Sequence, residues 1–180
     1  SFFKKKGWYV FNKKDKITEY DLENINSYDL IVSYGYKHII NKKILKRIKD
    51  PIINLHISYL PFNRGANPNF WSFIDGTPSG VTIHEINSKI DGGPIIFQKK
   101  ILFDINKKKH ETFSKTYKIL RFELEKLFKK KFNELVSKNY KTSRKNRKGS
   151  YHKKKDLPKY LKNWNMKISL AKKNSNKNLS

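Results

Sequence analysis

NLHISYLPFNRGANPNFW, residues 54–71, decides how the chain is read. Successive side chains of a strand point to opposite faces, so Asn54, His56 and Ser58 share one side while Ile53, Leu55 and Ile57 share the other. The run then breaks into a Gly/Asn/Pro loop that carries two aromatics, Phe70 and Trp71. A polar face at the end of an otherwise apolar strand, beside such a loop, marks a candidate site.

Upstream, residues 29–34 (DLIVSY) form a compact apolar run of strand length closed by Gly35, and residues 41–49 read as a short basic helix stopped by Pro51. With residues 52–58 as the next strand, the order strand, helix, strand with short connections predicts a parallel sheet with crossover helices. Residues 1–10 read as the tail of a helix stopped by Gly7, with a short strand at 8–11, and residues 17–26 as a short helical segment. Downstream, a helix over 69–75 precedes strands at 81–86 and 95–103, whose close spacing predicts antiparallel pairing. The clearest helix spans 112–138, where Phe113, Tyr117, Leu120, Leu124, Leu127, Phe128 and Leu135 fall on one face.

The 180 residues include no cysteine, which excludes disulfides and thiolate metal sites. No apolar run approaches the roughly 18 residues of a membrane helix, and the N-terminus SFFKKKGWYVF places charges where a signal peptide is apolar. A cytoplasmic protein without membrane contact is expected. The net charge of +26 is extreme, and residues 141–180 hold 14 Lys and Arg against Asp156 alone. Aromatic and basic residues do not interleave there as a stacking groove requires, so nucleic acid is expected to bind only nonspecifically, through charge. Residues 141–180 read as an irregular basic extension, with Tyr151, Tyr160 and Trp164 as docking points, on a domain of residues 1–140.

Two further stretches put polar groups in strand contexts. GVTIHEI, residues 80–86, places Thr82 and His84 on one face, and KIDGGPII, residues 89–96, sets Asp91 before a Gly-rich turn. An Asn, a His and an Asp brought together suit acyl-type transfer to an amine. A neutral imidazole takes the amine's proton, an Asn amide holds the oxyanion, and a carboxylate stabilises the imidazolium. The absence of Cys and of a GxSxG elbow argues against a covalent acyl-enzyme. His38, His56, His84, His110 and His152 lack the close helical pairs of a zinc peptidase, so no metal is expected.

The run NLHISYLPFNRGANPNFWS followed by GVTIHEINSKIDGGPII resembles the catalytic core of the folate-dependent formyltransferases, whose signature is Asn-x-His, an LP-x-x-RG loop, GVT-x-H and D-x-G-P/D. The resemblance covers residues 28–103 well. It implies a Rossmann-like α/β fold, a mostly parallel sheet with flanking helices. The family's N-terminal strand and phosphate-holding turn have no counterpart in residues 1–10, so the first strand is expected to be missing. It also implies 10-formyltetrahydrofolate as donor and a primary amine as acceptor, with no metal. By the same resemblance Asn54 polarises the formyl oxygen, His56 is general base and acid, and Asp91 completes the triad. Val32, Tyr34, Gly35, Tyr36, Ile86, Ile90 and Gly92 would line the pterin pocket. On the acceptor side, Arg64 and Gly65 would shape the loop, and Thr82 and His84 would support the site. Phe70, Trp71 and Tyr151 would stack on a sugar or base, and Lys153 would meet a diphosphate. Among such proteins the small enzymes acting on nucleotide-linked amino sugars are the nearest in character, and they are often homodimers. Two other readings stay open: formylation of another small amine such as a glycinamide nucleotide, and a non-catalytic basic nucleic-acid-binding protein.

Overall fold

The apolar runs pair into one central sheet in the computed structural model, which describes residues 2–143 and 148–177. Its strands are β1 (Ile31–Ser33), β2 (Ile52–His56), β4 (Gly80–Glu85) and β5 (Ile95–Lys100), while β3 (Arg64–Gly65) lies in the signature loop and pairs elsewhere. The helices are α1 (Leu22–Ile25), α2 (Lys42–Leu45), α3 (Pro68–Ile74), α4 (Phe113–Val136) and α5 (Ile168–Lys177). The sheet order is β1-β2-β4-β5.

The α/β class with flanking helices is as expected, but the sheet is mixed rather than mostly parallel over its described strands. β1 runs parallel to β2, whereas β2–β4 and β4–β5 are antiparallel. A parallel neighbour needs a crossover that returns the chain to the starting end of the sheet. The segment holding α2 does this between β1 and β2. After β2, the loop and the seven-residue α3 leave the chain at the same end, so β4 runs back along its neighbour. This register sets Ser33, Asn54 and His84 in one row across three strands.

α4 begins at Thr112, whose hydroxyl accepts the Lys115 N–H at 3.3 Å, an N-cap that satisfies one orphan donor of the first turn. Phe113, Thr116, Leu120, Leu124, Phe128, Phe132 and Leu135 are buried along its length. Much of this stripe packs on Ile53, Leu55, Val81 and Ile83 of the sheet. The stripe is slightly rotated from the one expected: Thr116 and Phe132 belong to it, while Tyr117 is 43% exposed. On the opposite face a smaller cluster joins Leu22, Ile40, Ile44 and Ile52. Asn54 and His56 share that face with Ile52 by strand parity.

The tail departs most from expectation. Residues 148–177 are not simply irregular: β6 (Tyr151–His152) pairs in parallel with β3, and α5 buries Ile168 and Ala171 against Phe70 and Phe113. Further anchors are the Ser143–Ile95 and Lys167–Thr112 bridges. Each anchor is one or two residues among lysines, too sparse to register as an apolar pattern. At the other end, Lys4–Lys6 make one 3₁₀ turn closed by Gly7, and residues 8–11 form no strand.

Leu124 is fully buried and Phe122 is 64% exposed on the same helix. Leu124→Ala is expected to cost about 2–5 kcal/mol of folding stability, and Phe122→Ala less than about 0.5 kcal/mol. Urea denaturation midpoints of the two variants check this directly.

Candidate active site

The three elements of the site come from three different local rules. β2 delivers Asn54 and His56 two residues apart on one face, and β4 brings His84 opposite Asn54. The turn after residue 89 folds Asp91 back over both, and Asp91 adopts a positive φ of 46° to do so. Asn54 Nδ2 then donates to Asp91 Oδ1 at 3.2 Å and meets His84 Nε2 at 3.0 Å. His56 Nδ1 lies 3.7 Å and His84 Nε2 3.6 Å from Asp91 Oδ1. The other carboxylate oxygen, Oδ2, accepts the Gly65 N–H at 2.8 Å.

The hydrogen-bond inventory fixes the orientations. His84 Nδ1 lies 2.8 Å from the Glu85 carbonyl, which can only accept, so that nitrogen carries a proton while Nε2 faces the Asn54 amide and Asp91. The Asn54 amide is thereby held with its nitrogen toward the carboxylate and its oxygen away. His56 is 8% exposed, and its Nε2 is buried with no hydrogen-bond partner in the protein. Its Nδ1 is the nitrogen that faces the Asp91 carboxylate, so Nε2 is the one that carboxylate leaves uncommitted. Burial holds the His56 imidazole below its usual value of 6.5; the Asp91 carboxylate opposes that shift and His84 adds to it. At neutral pH His56 is therefore an unprotonated base. Burial pushes the Asp91 carboxyl up, but the imidazoles of His84 and His56 and the Gly65 N–H favour the anion and bring it down to about 2.

Asn54, His56 and Asp91 line a cavity of about 680 Å³ that opens at the ends of β1 and β2. Tyr34, Gly35, Tyr36, Ile86 and Ile90 lie on its wall, as do Gly65, His84, Tyr151 and Lys153. Val32 and Gly92 do not, because Val32 points across the sheet from its neighbour Ser33, and Gly92 faces Lys89 and Arg64. Arg64 itself lies off the cavity, with its Nε buried and unpartnered.

Three residues expected at the acceptor are structural. Phe70 is fully buried against Phe113 and Trp71. Trp71 stacks on His152 at 4.0 Å and an interplanar angle of 5°, so its ring face is already covered. Thr82 is fully buried, donating to the Ser58 carbonyl at 2.6 Å and accepting from Gln98 at 2.9 Å. Ser58, part of the polar face read from the sequence, is likewise buried and bonds to the Phe62 carbonyl. Conversely, Arg121 and Tyr117 line the cavity without having been assigned to it. Tyr117 reads as core from its spacing and Arg121 as solvated surface, and only the direction of α4 across the sheet reveals them. Among the described residues, no group of three His, Cys, Asp or Glu side chains is arranged to hold a metal ion.

The sequence model of the formyl transferase family matches residues 3–128. The chain belongs to that family. Among solved members, the formyltransferase PseJ from Anoxybacillus kamchatkensis, in complex with UDP-4,6-dideoxy-4-formamido-L-AltNAc and tetrahydrofolate, is 38% identical. It superposes with a TM-score of 0.83 over 93% of this chain and 88% of that one. A sugar N-formyltransferase from a Shewanella species is 31% identical, with a TM-score of 0.69 over 77% of this chain and 55% of that one. The dTDP-4-amino-4,6-dideoxyglucose formyltransferase of Mycobacterium tuberculosis is 37% identical over 84 residues, which are 47% of this chain and 35% of that protein. The chain thus spans about a third of the length of that curated relative.

The depressed pKa of Asp91 makes a sign-definite expectation. A carboxyl whose folded value lies below its unfolded value stabilises the fold above the ordinary carboxylate range, and that contribution is lost as pH falls from about 4 to about 2. Asp91→Asn is expected to flatten this part of the stability–pH curve, measured as denaturation midpoints at each pH. An unchanged acid limb would place the carboxylate's anchoring elsewhere.

Proposed function

We propose that the chain transfers a formyl group from 10-formyltetrahydrofolate to the primary amine of a nucleotide-linked amino sugar. The observation that carries this reading is the meeting of Asn54, His56 and Asp91 on the wall of one cavity, with the His56 Nε2 left bare. Family membership and the sugar-nucleotide ligand of PseJ support the same donor and acceptor classes.

The residues present fit the folate. Apolar Ile40, Ile86 and Ile90 flank the chamber, backbone of residues 33–36 supplies polar edges, and the volume lies within the roughly 300–1,000 Å³ of small-molecule sites. The bound folate supplies a formyl carbon open to attack and a nitrogen that leaves with the electron pair. His56 Nε2 accepts the amine's proton as the new N–C bond forms, and returns it to the leaving nitrogen as the old C–N bond breaks. Asp91, anionic throughout, offsets the positive charge on His56 between these steps. Asn54 offers an N–H to the carbonyl oxygen as that oxygen gains charge. Both Asn54 hydrogens face protein acceptors here, so one exchanges its His84 or Asp91 partner for the oxygen. A cytoplasmic location accords with this reading, since nucleotide-linked sugars are its acceptors.

A solvated basic surface that binds only nucleic acid would be indifferent to these groups. His56→Gln is expected to lower kcat by at least about 100-fold, with affinity for 5-formyltetrahydrofolate, the stable isomer of the donor, within twofold of wild type. Calorimetry for binding and a coupled assay for free tetrahydrofolate read the two quantities separately. Undiminished turnover in this variant would remove His56 as the base.

A further inference from the structure

The tail runs over the signature loop at close quarters. Gly149 lies so near the Pro61 carbonyl that an added Cβ would sit 2.0 Å from it. Arg64 N–H then donates to the Ser150 carbonyl at 3.0 Å, and Ala66 N–H to the His152 carbonyl at 2.9 Å. Beside these backbone contacts one tail side chain is spent wholly on the loop. The Ser150 hydroxyl accepts the Asn63 N–H at 2.8 Å and donates to Asn63 Oδ1 at 2.9 Å. Asn63 Nδ2 donates in turn to Thr77 Oγ1 at 2.7 Å, which ties the loop to the turn before β4.

Asn63 is buried and adopts a φ of 55°, in the left-handed region that Asn tolerates better than most residues. Its three hydrogen bonds hold it there. Its backbone faces the His56 ring: burial lowers the imidazole, and the Asp91 carboxylate and the Asn63 backbone oppose that shift. Two residues further on, the Gly65 N–H holds Asp91 Oδ2. Residues 63–65 therefore touch both members of the His56–Asp91 pair, one at each end. The tail is pinned on its other side by His152, whose ring stacks on Trp71 of α3 at 4.0 Å. His152 Nε2 lies 2.8 Å from Oδ2 of Asp75, the residue that caps the C-terminus of α3.

Resting on the proposed formyl transfer, we propose that Ser150 is a positioning residue: through Asn63 it sets the backbone of residues 63–65 against His56 and Asp91, and so aims the base. Ser150 is not on the chamber wall and acts only through this contact. The place calls for a hydroxyl, because one group must accept from an N–H and donate to an amide oxygen. Without it the Asn63 N–H and Oδ1 are left buried and unpaired, a cost the loop relieves by shifting. A shift of about 1 Å at a reacting group costs up to about 100-fold in rate.

The test compares wild type with Ser150→Ala, Ser150→Thr, Asn63→Gly and the double variant Ser150→Ala/Asn63→Gly. NMR titration of the ligand-free protein reads the His56 imidazole, assigned by its absence in His56→Gln. The coupled assay for free tetrahydrofolate reads kcat and KM. Ser150→Ala is expected to lower kcat about tenfold with KM within about twofold. It should also move the His56 titration to lower pH, since a group that favours the protonated ring is withdrawn. Ser150→Thr should restore both. Asn63→Gly keeps the backbone angle, cuts the same contact from the other side and should reproduce both effects, so it decides the matter if Ser150→Ala does not fold. The double variant should lose no more than the worse single one. A lower urea midpoint with an unmoved His56 titration would make Ser150 structural only and overturn the proposal. Fully additive losses, or no recovery in Ser150→Thr, would overturn it too. Failure of the formyl-transfer reading looks different: wild type itself shows no turnover, while the His56 titration still moves in Ser150→Ala and returns in Ser150→Thr.

Discussion

The hydrogen bond from the Gly65 N–H to Asp91 Oδ2 is the contact on which the site hangs. A carboxylate only 12% exposed would take up a proton unless fixed donors and cations held its charge. Among the described residues, this N–H is the one donor to it that does not titrate and does not belong to the row of Ser33, Asn54 and His84. Its position requires the loop to pass through φ 87° at Gly65, where an added Cβ would also sit 2.3 Å from the His152 carbonyl. Glycine is demanded twice at this position, by the backbone angle and by the closeness of β6. The loop, the carboxylate and the tail strand thus depend on one another through a single residue without a side chain.

From that anchor the chemical division of the site follows. Asp91 stays anionic, His56 stays neutral through burial, and His84 is committed to the Glu85 carbonyl through one nitrogen and to Asn54 through the other. Around this small charged centre the protein separates neutral from cationic walls. A chain with net charge +26 still presents a cavity without a single formal charge, lined by Ile57, Ser114, Tyr117 and Trp164 among others. Of the many lysines, Lys37, Lys89, Lys153 and Lys154 reach the chamber wall, the last two delivered by the segment that follows β6.

That Asn54, His56 and Asp91 carry polar groups toward one place was suggested by local signals, and their meeting came from the family resemblance. Period-two alternation put Asn54 and His56 on one face, and a Gly-rich turn announced Asp91. β1, β2, α3, β4, β5 and α4 were legible for the same reason, each being a run whose apolar period exceeds its noise. Strand direction was not, since it depends on where α3 deposits the chain rather than on any residue in β4. Phe70 and Trp71 were misleading: a loop aromatic reads as a ligand platform until its neighbour is known, and here the neighbours are Phe113 and His152. The tail was least legible. Its docking rests on backbone pairing, on the Trp71–His152 stack and on the His152–Asp75 contact at 2.8 Å. None of these leaves a periodic trace.

The pairing of β3 with β6 also orders events in time. Asn63 and Ser150, 87 residues apart, hold each other by two hydrogen bonds of 2.8 and 2.9 Å. The strand that carries His56 can form with its neighbours early, from contacts close in sequence. The loop that seats the carboxylate gains its outer edge only when residues 149–152 arrive, a closure whose entropy cost is met last. His56 can thus be in place before the Gly65 N–H that holds the Asp91 carboxylate is locked, and residues 53–100 hold an unfinished site until residues 149–152 have been added.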